Sequence, residues 1–418
     1  MKASALASVS ALLTGMAILL AGSGMVGTLL GLRAHLEGFS DFAVGVVMSA
    51  FFLGYVAGAF VCPPLIRRVG HIRAFAAMAS LSAAVSLLYG LAVDPVAWWL
   101  LRLVNGIALV GLYMVVESWL GAQVEEGRGQ VFAVYMMASL LALAAGQGLV
   151  LVYGPGELAS FALVAVLFSL GLIPIAMTRA VAPTPVQTPH LSLGRLYRAV
   201  PTGVLGAGFS GMVTGAFWGL AAVYAAGRGL DDGGVAAFIA ATILGGALLQ
   251  WPIGRLSDHR DRRRVLLVVA LLAALAALAM LSLGDAAPRA LLLAGAVYGG
   301  LSFSLYGLSV AQTHDRLQRV EALQATQGLL LVNGIGATLG PLLAGAAMQR
   351  LGDDGFPLSM VVLLLLLAGF LAHRIRVGAA VPEAEQVDFV PVTRTSPVAV
   401  ELDPRLAPGP DGRQMDER

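Results

Sequence analysis

Twelve stretches of this sequence each run for roughly twenty residues with almost no charged side chain. They fall at about 9–32, 42–62, 74–92, 96–120, 130–153, 158–178, 201–226, 234–254, 265–284, 290–312, 323–349 and 357–377. A helix of that length rises about 30 Å, the thickness of the hydrocarbon core of a bilayer. The breaks between stretches carry turn chemistry, such as Asp94-Pro95, Gly154-Pro155-Gly156 and Asp353-Asp354-Gly355. Charged residues make up 12% of the chain, against about 25% in a soluble domain. That excludes a soluble enzyme and a disordered chain. A net charge of +2 gives no footprint for nucleic acid. The class is an all-α membrane protein with twelve transmembrane helices.

Basic residues orient the spans. With the N-terminus in the cytoplasm, the loops on that side hold 17 Lys and Arg, from Lys2 to Arg376, against four (Arg33, Arg228, Arg289, Arg350) on the other. Both termini are therefore expected in the cytoplasm. The N-terminal run resembles a secretion signal, but it continues to Leu32 and reads as a retained first helix.

The expected organisation is a six-helix half over 1–178, a cytoplasmic linker over 179–200, a second six-helix half over 201–377 and a disordered tail over 378–418. The linker holds Pro183, Pro185 and Pro189, and the tail six prolines and eight acidic residues. The single cysteine, Cys62, forms no internal disulfide and reads as a buried apolar residue. The six histidines sit in loops or at span ends, without metal-ligand spacing. No metal, cofactor or catalytic group is expected.

The halves echo each other at a shift of 191 residues: Gly54 matches Gly245, and the basic run 67–73 matches 258–264. The second copy, Gly254-Arg-Leu-Ser-Asp258-His-Arg-Asp-Arg262-Arg263, resembles the loop signature of the major facilitator superfamily, Gly-x-Leu-x-Asp-Arg-x-Gly-Arg-Arg. In the first copy Pro63 stands for the glycine and Arg67 for the aspartate. Arg102-Leu-Val-Asn105-Gly106 resembles the intramembrane Arg-x-x-x-Gly of the same superfamily. Val116 to Leu120 and Trp251 to Asp258 resemble a YcaD-like branch of bacterial transporters. The resemblance covers everything but the tail. It implies the major facilitator fold, two six-helix pseudo-repeats, with the first, fourth, seventh and tenth helices lining a cavity. It also implies a cytoplasmic gate in which Asp258 and Arg262, with Arg67 and Arg68, pair across neighbouring helix ends. For Arg67 and Arg68 a purely topological role is the alternative.

Ionisable residues within a span are functional candidates, because the bilayer penalises them. Arg102 and Glu117 qualify. They are fifteen residues apart, about 22 Å along one helix, and share a face with Gly106, Leu109 and Tyr113. Arg102 is expected to meet a substrate anion or to bond carbonyls of the first span. Glu117 is expected to serve a gate or a proton, or to snorkel toward Arg67, Arg68 or Arg128. Trp98 and Trp99 suit the outer interface. Thr214 and Trp218 on the seventh span, and Tyr298 and Tyr306 on the tenth, suit either a cavity wall or interhelical packing. The buried amides Gln147, Gln250 and Asn333 suit helix glue or ligand contact.

The expected function is secondary active transport of a small organic solute by alternating access, driven by protons, in a bacterial cytoplasmic membrane and by a monomer. Alternatives are a lipid or lysolipid flippase and a membrane sensor that does not transport. An intramembrane enzyme would need clustered His, Asp or Cys at membrane depth, and the sequence has none. No Gly-x-x-x-x-Gly-Lys-Ser/Thr phosphate loop is present, so ATP is not the direct energy source.

Overall fold

A computed structural model describes residues 3–123, 128–177, 193–283, 288–317, 319–378, 381–382, 385–390 and 395–398. The first half contains α1 (Ala3–Leu36), α2 (Asp41–Val69), α3 (His71–Leu91), α4 (Pro95–Gln123), α5 (Arg128–Leu149) and α6 (Leu158–Ala176). A short α7 (Leu193–Ala199) ends the linker, whose residues 178–192 lie outside those described. The second half contains α8 (Pro201–Gly227), α9 (Asp232–Ser257), α10 (Arg262–Leu283), α11 (Pro288–His314), α12 (Arg319–Leu351) and α13 (Gly355–Val377). A single 3-10 turn, Gly352–Asp354, joins the last two.

The twelve expected spans are the twelve long helices, several of them extending further than the apolar runs. Arg67 and Arg68 lie on the last turn of α2 rather than in a loop. A helix can outrun the hydrocarbon and carry its cations into the headgroup region, where they also favour its C-terminal dipole. Apolar side chains such as Leu248, Leu275 and Leu365 point outward. In water such a belt would be an aggregation surface; in lipid it is the solvated face.

The duplication shows in local geometry. Gly38 and Gly229, 191 residues apart, take φ of 69° and 76° in the turns after α1 and α8. Two residues on, Ser40 and Asp231 cap α2 and α9, accepting the backbone N–H of Ala43 at 3.3 Å and of Gly234 at 2.7 Å. Glycines then press helices together. A Cβ on Gly54 would stand 2.0 Å from the Leu103 carbonyl, and one on Gly106 2.0 Å from that of Phe51. The second half repeats this: Gly245 against Ala296 at 1.9 Å, and Gly299 against Thr242 at 2.1 Å. Lipid tails are as apolar as leucine, so close van der Waals contact, not water exclusion, holds such pairs.

Between the halves, α1 meets α8 and α2 meets α12. Three of their close approaches are Gly31 to Ala222, Gly45 to Pro341 and Gly345 to Asp41. All lie near the end of α1 and the start of α2, on what we term the far side.

The opposite side holds the tail. Residues 378–418 were expected to be disordered; of these, the described stretches 385–390 and 395–398 are seated against helices of both halves. Ser396 and Val398 are buried. Backbone hydrogen bonds and one aromatic ring seat them, and bulk composition does not report either.

Candidate functional site

Between the halves lies a cavity of about 260 Å³. The first half supplies Gly27 of α1, Met48, Phe51 and Tyr55 of α2, Arg102, Leu109 and Tyr113 of α4, and Met136 and Ser139 of α5. The second supplies Thr214 and Trp218 of α8, Gln250 of α9, Phe303 of α11 and Asn333 of α12. The wall is aromatic and apolar, with a few polar groups, as small-molecule sites are. Trp218 stacks on Phe303 with ring centres 6.3 Å apart, making one flat side.

Arg102 is the cation of this wall and is 5% exposed. It reaches α2, not carbonyls of α1: Nη2 contacts Met48 Sδ at 2.9 Å, and its guanidinium stands 5.1 Å from the centre of the Phe51 ring. It forms no ion pair among the described residues, and its Nε has no hydrogen-bond partner there.

Glu117 lies beyond the cavity toward the tail and is fully buried. It accepts hydrogen bonds from Tyr135 Oη at 2.9 Å and from the Ser396 hydroxyl. Tyr55 and Tyr113 stand above it with ring centres 6.4 Å apart, and Tyr55 donates to the carbonyl of Thr395. The snorkelling expected for Glu117 does not fit a carboxylate covered by the chain's own tail.

At the tail-side end of the second half, Arg262 pairs with Asp258 at 2.8 Å and with Asp315 at 3.3 Å. Burial raises the pKa of Asp258, offset in part by Arg262 and by the backbone N–H of Phe389. Burial also acts to raise that of Asp261, but the hydrogen bonds and charge of Arg263 outweigh it and hold this carboxyl below its ordinary value. Arg67 and Arg68 are exposed at the end of α2.

Of the residues singled out by sequence, Arg102, Tyr113, Thr214 and Trp218 line the cavity. Asn105 is buried outside its lining. Tyr298 and Tyr306 are buried away from it, because the face of α11 that meets the cavity is centred on Phe303; Tyr306 packs with Val204, Ala207 and Leu329. Trp98, expected at the outer interface, is wholly buried, bonding the Tyr89 carbonyl and packing on Phe39. Gln147 is glue: it accepts from Thr28 at 2.5 Å and donates to the Gly24 carbonyl at 3.0 Å. Sequence reasoning missed Phe51, Tyr55, Tyr135 and the tail. The signal for the first two was their place one and two turns from Met48 on the helix that faces Arg102.

The sequence profile of the Major Facilitator Superfamily matches residues 12–313 and, overlapping, 203–400. An uncharacterised MFS-type transporter, YcaD, of Escherichia coli is 30% identical over 365 residues, covering 85% of this chain and 94% of its own length. Among solved structures, the nucleoside transporter NupG superposes with a TM-score of 0.75 at 13% identity, over 88% of this chain and 99% of that one. A bacterial homologue of the human lysosomal transporter Spinster, inward-facing and unoccupied, superposes at 0.69 with 17% identity, over 90% and 98% of the two chains. At these identities the two structures speak for the fold alone.

Proposed function

This chain belongs to the major facilitator superfamily, and on that premise we propose that it moves a small organic anion across the membrane by alternating access. One observation carries the reading: a buried guanidinium without an ion-pair partner among the described residues, in the wall of a cavity between two helical halves. A cation taken out of water costs several kcal/mol unless a counter-charge meets it. An anionic solute supplies that counter-charge, and the aromatic wall of Phe51, Trp218 and Phe303 takes an apolar or ring-bearing body. Gln250 and Asn333 offer amides to its polar edge.

Protons are the favoured driving ion. Glu117 is a carboxylate at membrane depth hydrogen-bonded by hydroxyls, on the same helix as Arg102, so one rocking element would carry both the solute contact and the proton site. The excess of Lys and Arg on the tail side supports a cytoplasmic orientation for that side, and we read the membrane as a bacterial cytoplasmic one.

Reconstitution into liposomes with a panel of organic anions and neutral solutes tests this reading. The expected result is saturable flux of one anion class, lost in Arg102→Ala. Saturable flux confined to neutral solutes and indifferent to Arg102 would overturn it.

A further inference from the structure

The described parts of the tail lie in the gap between the halves, on the side opposite the tight seam at Gly31, Gly45 and Gly345. We propose that these stretches, residues 385–390 and 395–398, form an internal plug: they seal the tail-side mouth of the central cavity, tie the two halves together there, and must leave before a solute can enter from that side.

The second half holds the first stretch. The backbone N–H groups of Val387 and Phe389 donate to Asp315 at 3.0 Å and to Asp258 at 2.8 Å, and Arg262 donates to the Val387 carbonyl. Two of the four residues expected to form the gate, Asp258 and Arg262, thus spend their bonds on the tail as well as on one another. The ring of Phe389 lies over two glycines. A Cβ on Gly254 would come within 2.0 Å of it, and one on Gly307 within 3.1 Å. No other residue type at position 254 would leave room for that ring, so the glycine that opens the loop signature doubles as the floor of a socket.

The first half holds the second stretch. Tyr55 donates to the Thr395 carbonyl, and Ser396, fully buried, donates to Glu117. Thr395 itself lines the central cavity, and Pro397 borders a small cleft that Val56 of α2 and Leu331 of α12 also line. One stretch is bonded to Asp258 and Asp315 and the other to Tyr55 and Glu117, so between them they engage both halves. Rocking the halves apart on this side breaks one set of bonds or the other. The plug also covers the carboxylate of Glu117 with a serine hydroxyl, so solute entry and access to Glu117 are blocked by the same ten or so residues. The claim concerns access to the cavity and stands whatever solute the cavity takes.

Two measurements on the full-length protein in detergent test it, both in a Cys62→Ala background. In the first, Glu117→Cys and Ser396→Cys are combined and treated with a short bis-methanethiosulfonate. The expected result is an intramolecular cross-link within minutes; no cross-link would place the tail elsewhere and overturn the proposal. In the second, Thr214→Cys reports entry of a hydrophilic maleimide into the cavity, with and without Phe389→Glu, which sets a carboxylate beside Asp258. Labelling is expected to speed up at least 10-fold in the Phe389→Glu protein. Equal rates, with a cross-link still forming in the first measurement, would show a docked tail that closes nothing and would equally overturn it.

Discussion

The guanidinium of Arg102 stands 5.1 Å from the centre of the Phe51 ring, on the next helix, with no carboxylate paired to it among the described residues. A cation held by a ring face and a thioether keeps its charge available to something else. Arg102→Ala is therefore expected to weaken binding of the transported anion by about 10- to 100-fold, the equivalent of one charge-assisted hydrogen bond of about 1.5–3 kcal/mol. Arg102→Lys keeps the charge and loses the planar fork, so it should recover part of the loss. Ligand-induced thermal shifts on both variants check this.

Glu117→Gln keeps the shape of the side chain and removes its charge. Flux driven by an imposed pH gradient should disappear, while exchange of solute against solute across the same liposomes persists. Retention of pH-driven accumulation in this variant would remove Glu117 as the proton site.

The glycine contacts between α2 and α4, and between α9 and α11, leave no space for a side chain. Gly54→Leu and Gly245→Val should each destabilise the protein by about 1–3 kcal/mol or more, read as lower thermal midpoints or loss of monodisperse protein. Gly369 on α13 has nothing within 4 Å of its missing Cβ. Gly369→Ala should be neutral or slightly stabilising, by up to about 1 kcal/mol of helix propensity.

Asp261 accepts three hydrogen bonds from Arg263, between 2.9 and 3.1 Å. Its folded pKa lies below the ordinary 3.8, so its contribution is fully present above that value and is lost as pH falls through the folded one. Asp261→Asn should cost about 1–2 kcal/mol at pH 7. The gap between variant and parent should narrow only below the ordinary carboxylate value, as a pH series of thermal midpoints would show.

The spans, their ends and the duplication were legible because hydrophobicity along a membrane helix is a one-dimensional signal. Gly54 and Gly245 could be matched from the sequence, and both proved to sit at the same joint. Arg102 and Tyr113 were reached by helical spacing from a charge that the bilayer penalises. Tyr55 and Tyr135 were not, because an aromatic residue on a span reads the same whether it faces lipid, a neighbour or a cavity. Tyr298 and Tyr306 stayed open between cavity wall and packing for the same reason: their spacing defines a face of α11 but not which neighbour that face meets. The seating of the tail's described stretches was not legible, because composition is an average. A stretch rich in proline and acid cannot bury a core, yet Phe389 and Ser396 need none, since the helices around them already provide the socket.

The paired glycine joints also bear on mechanics. Where backbones touch at Gly54, Gly106, Gly245 and Gly299, neighbouring helices have no slack to slide or twist against each other. Each half then behaves as a stiff lever rather than a sheaf of independent rods. Displacement during a transport cycle concentrates in the thin layer between the levers, and two reporters set within one half, across such a joint, keep a constant separation while a pair straddling the halves does not.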